Sequence, residues 1–308
     1  MPKAGRILDS ILFRISEKYR LAQKITKLEL RLQKTKKEIA DLRFSYYLSG
    51  EAKKLDLRQL EGFGDIARQV ISEQTTGMNY DRLYTIWQAL QMAPPDLPIV
   101  EVGTYRGGSA KFICECQRYA GRSSPFYVCD TFAGHPRVDA AFDHERHLHP
   151  NFIDTSAELI AEYLAGYPEL EIVVGDILET SDRLHDGPYG FVHIDVDVYP
   201  AMEFCVRFFA PRLGFGATMV IDDYGFVTCP GVKTAVDNFI TADSRFRLFH
   251  LLTGQALLFR AVPVESQLWT FQETFTPPRI ATQYAQAINR SERVLPEFDR
   301  PPLRRGAA

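Results

Sequence analysis

Five short apolar runs, each too short for a helix and each separated from the next by a helical stretch, constrain this chain more than any other feature. They are Ile99 to Val102, Phe126 to Cys129, Glu171 to Val174, Phe191 to Ile194 and Thr218 to Ile221. Runs of this length suit strands buried on both faces, and the helices between them are the crossovers of a parallel sheet. Further on, Arg247 to Leu252 and Ala256 to Arg260 flank Thr253-Gly254-Gln255, which predicts an antiparallel hairpin closing one sheet edge. The expected fold is α/β, a doubly wound sheet. With 45% hydrophobic and 24% charged residues over 308 positions, the composition is that of a globular protein and excludes disorder as the main state.

Upstream, Arg6 to Phe44 contains neither Pro nor Gly, and Leu21, Ile25, Leu28, Leu32, Ile39 and Leu42 recur at the spacing of a heptad seam. One long N-terminal helix follows. Leu8, Ile11, Leu12, Ile15 and Tyr19 fit a shifted frame, as a stutter produces. Arg20, Lys24, Lys27, Arg31 and Lys34 add a row of like charge beside the seam. The first 60 residues hold 15 Lys and Arg against 7 Asp and Glu, leaving 21 against 32, so the net charge of −3 conceals a basic head and an acidic body. The expected division is a basic helical segment over 1–60, an α/β domain over 61–262 and a tail over 263–308 whose six prolines predict an extended or partly disordered course. Gly50, Gly62 and Gly64 punctuate the entry to helices around Ile66 to Glu73 and Tyr80 to Met92. No run approaches the roughly 18 apolar residues of a membrane span, and no segment has the design of a signal peptide. Five scattered cysteines make a disulfide framework unexpected, and the expected setting is a reducing cytoplasm; Cys114 and Cys116 read as helix residues beside a core.

In an open parallel sheet, ligands bind beyond the carboxyl ends of the strands. There the chain places Glu101-Val-Gly103-Thr-Tyr105-Arg-Gly107-Gly-Ser109, then Asp130, Asp176 and Asp195. The glycines allow a tight turn and close approach of backbone to a ligand, and free amides at the next helix start can hold an anionic group. Tyr105 stands where a dinucleotide fingerprint needs its second glycine, which argues against NAD. Asp195, with Asp222 and Asp223 from the following strand, would gather three carboxylates at the sheet's carboxyl end. Such a cluster is repulsive unless protonated or neutralised, and its all-oxygen donors favour a hard divalent cation such as Mg2+. His135, His144, His147 and His149 fall in one polar segment, either a lid over an acceptor site or simply solvated.

The strand-end Glu101, the Gly103-to-Ser109 loop and Asp130 resemble the S-adenosyl-L-methionine site of class I (Rossmann-like) methyltransferases. The ordered motifs Asp130-Thr-Phe132-Ala-Gly134, Phe152-Ile-Asp-Thr-Ser156, His193-Ile-Asp-Val-Asp-Val-Tyr199, Ile221-Asp-Asp-Tyr-Gly225, Cys229-Pro-Gly-Val-Lys-Thr-Ala-Val-Asp237 and Thr253-Gly-Gln255 resemble the macrocin O-methyltransferase family over about Thr75 to Arg260. That resemblance implies methylation of sugar hydroxyls with S-adenosyl-L-methionine and Mg2+. It implies a cofactor site of Glu101, Gly103, Tyr105, Ser109, Asp130, Phe132, Asp176 and Asp195. In it Gly103, Tyr105 and Ser109 surround the methionine part, Asp130 binds the ribose hydroxyls and Asp176 lies near the adenine. Asp195, Asp222 and Asp223 become the metal ligands, with Asp195 also the catalytic base.

Two other readings stand beside this one. Catechol-type O-methyltransferases, with phenolic acceptors, share the glycine loop and a carboxylate site but use a lysine where this chain has Val198. A methyltransferase-like domain kept for binding alone would make the basic helix the working part. The partners expected are a small-molecule or glycan acceptor with a free hydroxyl and no nucleic acid. For the N-terminal helix the expectation is self-association, or docking to a protein or an anionic membrane surface.

Overall fold

A computed structural model describes residues 2–47 and 62–261. The 263–308 tail, Gly50 and the side chains of the shifted apolar frame before Lys18 lie outside the described residues. The chain runs α1 (Pro2–Tyr47), α2 (Phe63–Glu73), α3 (Tyr80–Met92), β1 (Ile99–Val102), α4 (Gly108–Tyr119), β2 (Phe126–Asp130), α5 (Ala157–Tyr163), β3 (Leu170–Val174) and α6 (Ile177–Thr180). It continues with β4 (Tyr189–Ile194), α7 (Tyr199–Phe209), β5 (Leu213–Ile221), α8 (Pro230–Ala242), β6 (Phe246–His250) and β7 (Ala256–Arg260).

Among the described residues the sheet has seven strands in the order β3-β2-β1-β4-β5-β7-β6. The first five are parallel, and β7 runs antiparallel to both β5 and β6, the closing hairpin that the Thr253-Gly-Gln255 turn predicts. β1 and β4 are buried at every position, including Glu101 and His193. One core layer joins α7 and α8 to the sheet through Met202, Phe209, Val232 and Val236. The other joins α2, α3 and α4 through Phe63, Leu83, Ile86 and Phe112. Phe63 is fully buried and meets the rings of Tyr84, Trp87 and Phe112 at 5.1 to 6.2 Å between centroids. All five cysteines are free and buried, and Cys114 and Cys116 lie on α4 against this second layer.

The long helix α1 forms as its heptad pattern predicts, and it is tied to the domain near its end. Ala40 is buried, its carbonyl accepts a hydrogen bond from the Tyr80 hydroxyl at 2.8 Å, and Asp41 lies 3.7 Å from Arg68 of α2. Leu21, Ile25, Leu28, Leu32, Ile39 and Leu42 stay exposed. No helix among the described residues is long and apolar enough to cross a membrane.

The strand order brings the ends of β1 and β4 side by side, and Gly103 is the position that permits it. Its φ is +87°, and a Cβ there would collide with the backbone carbonyl of Asp195. Gly103→Ala therefore carries about 1–3 kcal/mol of backbone strain and a steric clash in addition. Urea unfolding of this variant should show a lowered midpoint with an unchanged slope.

Candidate active site

The carboxyl ends of β1, β2, β4 and β5 open onto a cavity of about 280 Å³. Gly103, Tyr105, Ser109, Asp130, Asp176, Asp195 and Asp223 line it, together with Thr75, Met78, Arg82, His135, Arg137, Phe152 and Asp197. The glycine loop is pinned from below. Asp130 Oδ2 accepts the backbone N–H groups of Thr104 and Tyr105, both at 2.8 Å, and Oδ1 accepts that of Phe132 at 2.8 Å. A carboxylate oxygen has two lone pairs, so Asp130 can fix the loop and still accept hydroxyl donors from the cavity. Asp176 caps α6 by accepting the N–H of Leu178 at 3.0 Å, while Arg137 Nε donates to its other oxygen at 2.6 Å.

Two residues of the expected cofactor set do not line the cavity. Glu101 is fully buried beneath it, with Oε1 2.9 Å from His193 Nδ1. Phe132 adopts φ +51° and turns the chain after β2 without being among the lining residues. Glu101 belongs instead to a support: His193 Nε2 lies 3.8 Å from Asp222 Oδ1, and Gln255 Nε2 donates to that same oxygen at 2.7 Å.

Asp195, Asp222 and Asp223 do come together, one oxygen from each lying within 4.8 Å of the others. Asp222 and Asp223 are buried, and Oδ2 of Asp223 has no hydrogen-bond partner. Burial raises the Asp195 carboxyl above its ordinary value. Burial, then the charges of Asp195 and Asp197, push the Asp223 carboxyl well above its ordinary value against the opposing pull of Arg82. The protein supplies part of the counter-charge: Arg82 of α3 forms an ion pair with Asp222. All-oxygen donors with an orphaned buried oxygen on Asp223 fit a hard divalent cation.

Arg82, His193 as a support and Asp197 as a cavity residue are not among the site residues expected from the sequence. Asp197 adopts φ +60°, in the left-handed region that strains a non-glycine residue, and it lines the cavity beside the trio. The Cys229 thiol donates to its Oδ1 at 3.2 Å, and His135 Nε2 lies 3.6 Å from its Oδ2. Its signal was the alternation in Asp195-Val-Asp197, which for a strand end puts both acids on one side.

The histidine segment is an anchored loop. Its ends meet at Gly134, φ +81°, where a Cβ would press on the carbonyl of Asn151. Asp143 accepts the N–H of Tyr199 at 2.7 Å at the start of α7, and the Phe142 and Tyr199 rings stack 4.3 Å apart. His147 is buried, with Nε2 2.8 Å from the Thr228 carbonyl oxygen. His135 lines the cavity, its imidazole held below its ordinary value by burial against the opposing pull of Asp197. His144 caps the short turn that follows it, and His149 is exposed.

Residues 100–224 match the family described as a methyltransferase domain. The chain is similar to the 8-demethyl-8-(2,3-dimethoxy-alpha-L-rhamnosyl)-tetracenomycin-C 4'-O-methyltransferase of Streptomyces olivaceus, 29% identical over 146 residues that make up 44% of this chain and 55% of that protein. It thus spans little more than half the length of that relative. Among solved structures it is similar to the O-methyltransferase NovP, with a TM-score of 0.53 and 22% identity over 61% of this chain and 82% of that one. A calicheamicin methyltransferase matches with a TM-score of 0.47 and 17% identity, over 67% and 96% of the two chains. The likeness to NovP shows the fold, that of the class I methyltransferases.

Because Arg82 is the resident cation of the trio, Arg82→Gln leaves Asp222 buried without its partner, a loss of about 3 kcal/mol. Metal-free thermal melts should show the variant well below the wild type. Mg2+ should then raise the melting temperature of Arg82→Gln by more than it raises that of the wild type.

Proposed function

We propose that this chain is an S-adenosyl-L-methionine-dependent O-methyltransferase that acts on a hydroxyl of a sugar or glycosylated metabolite, with a divalent cation held by Asp195, Asp222 and Asp223. The observation that carries this reading is the juxtaposition of that carboxylate trio, at the ends of β4 and β5, with the cavity under the glycine loop at the end of neighbouring β1. The relative from Streptomyces olivaceus, named for 4'-O-methylation of a rhamnosyl-tetracenomycin, supports a sugar hydroxyl as the acceptor.

When bound, the cofactor supplies an electrophilic methyl group on a sulfonium, and the divalent cation lowers the pKa of a hydroxyl it holds. The protein's part is positioning and proton handling. Gly103, Tyr105 and Ser109 face the methionine part of the cofactor, Asp130 accepts the ribose hydroxyls and Asp176 stands at the adenine end. Tyr105 is itself held at the rim, its hydroxyl donating to Asp154 at 2.6 Å and its ring meeting Phe152 edge-on at 5.1 Å. Of the two acids at the end of β4, Asp195 is the base expected from the sequence, but it is also a member of the trio proposed to hold the cation, whereas Asp197 lines the cavity outside that trio. That favours a second reading in which Asp197 takes the hydroxyl proton while Asp195 serves the cation.

Formation of S-adenosylhomocysteine, measured with a panel of glycosides in Mg2+ and in chelator, tests the function. Turnover in Mg2+ that chelator abolishes is expected. Cofactor binding with no metal-dependent turnover on any sugar or phenolic acceptor would favour the binding-module reading. Asp197→Asn should lower kcat by about 100-fold, within the usual range for a general base, while leaving Mg2+ binding intact. Retention of kcat in that variant would return the base to Asp195.

For α1 we propose self-association through its exposed seam, the basic row and the acidic body making complementary surfaces. Light scattering of the full chain should give a mass above 35.1 kDa, and polar substitutions at Leu21, Ile25 and Leu28 should return it to the monomer value.

A further inference from the structure

Beside the carboxylate trio, the anchored loop brings a donor set of different chemistry to the cavity wall. His135, His147 and Asp197 each offer one donor atom, and these three atoms lie within 4.8 Å of one another. His147 is 3% exposed, and the Thr228 carbonyl 2.8 Å from Nε2 accepts its N–H, which assigns the remaining lone pair to Nδ1. That Nδ1 is buried and has no hydrogen-bond partner. His135 Nε2 is likewise buried without a hydrogen-bond partner, 3.6 Å from Asp197 Oδ2. Two orphaned ring nitrogens cost free energy that a shared cation would offset. A backbone carbonyl orienting an imidazole through its other nitrogen is also the usual support of a metal-binding histidine.

We propose that His135, His147 and Asp197 form a binding site for a zinc-class transition-metal ion, adjacent to the Asp195, Asp222 and Asp223 trio and sharing no ligand with it. Two imidazoles and one carboxylate are a three-ligand set suited to such an ion, with a coordination position left for water. The trio offers only oxygen and suits a hard cation, so the two sites sort cations by ligand type. An ion at the histidine site joins the 134–151 loop to the end of β4 and adds a tether to those made by Asp143 and Gly134. The site stands on its donors and does not depend on the methyl-transfer reading; an ion held there occupies Asp197 and leaves the hydroxyl proton to Asp195.

Calorimetric titration of the untagged full chain with ZnCl2, in a large excess of Mg2+, tests the assignment. One equivalent of Zn2+ per chain is expected in the wild type and in Asp222→Asn, with affinity reduced at least about tenfold in His135→Ala and His147→Gln. Zn2+ should also raise the melting temperature of the wild type and leave that of His135→Ala unchanged. Should His147→Gln fail to fold, His135→Ala, altered in a loop outside the core, decides the question. Wild-type zinc affinity in His135→Ala overturns the proposal. Loss of zinc binding in Asp222→Asn with the histidine variants unaffected also overturns it, because the ion then sits in the trio.

Discussion

Carboxylates removed from water require positive charge or protons nearby, and much of this site's surroundings answers that requirement. Asp222 is fully buried, and three groups from distant parts of the chain converge on it: Arg82 from α3, Gln255 from the hairpin and His193 from β4, itself braced by Glu101. None of the three lies within twenty-five positions of Asp222 in the sequence. The hairpin that closes the sheet thus does more than cover an edge. It delivers the amide that orients one member of the trio.

The parallel sheet was legible in the sequence because strand burial leaves short apolar runs, and each of the five runs falls within one of β1 to β5, even at β3, where Glu171 and Val174 are exposed. The acids at the strand ends were legible for the same reason: strand register turns sequence position into spatial position. Asp195 and Asp222 meet because their amides bond to Val102 and Ile194 of the neighbouring strands, at 2.8 and 2.9 Å. What escaped was contact across layers. Arg82 is one polar residue on an amphipathic helix, and nothing local distinguishes it from a solvated arginine. Glu101 misled in the opposite direction, since a strand-end acid beside a glycine loop reads as a ligand contact while its side chain faces the interior.

Backbone strain marks the same region. Tyr105, Phe152 and Asp197 all adopt positive φ and all line the cavity, and Phe132 does so one turn away. Each costs of order 1 kcal/mol, which the surrounding hydrogen bonds from Asp130, Asp154 and Cys229 offset. Side-chain aim is fixed here by the backbone, so small changes in these turns move the groups that face a ligand.

The pinch at Gly134 and Asn151 has a further consequence. Because the two ends of the histidine loop lie against each other at its base, the chain between them can change length without moving β2 or α5 apart, and doubling a flexible loop costs only about 0.6 kcal/mol in closure entropy. The part of the loop beyond Arg137, which bonds Asp176, can therefore vary in length while the sheet, the glycine turn and the strand-end acids stay in place.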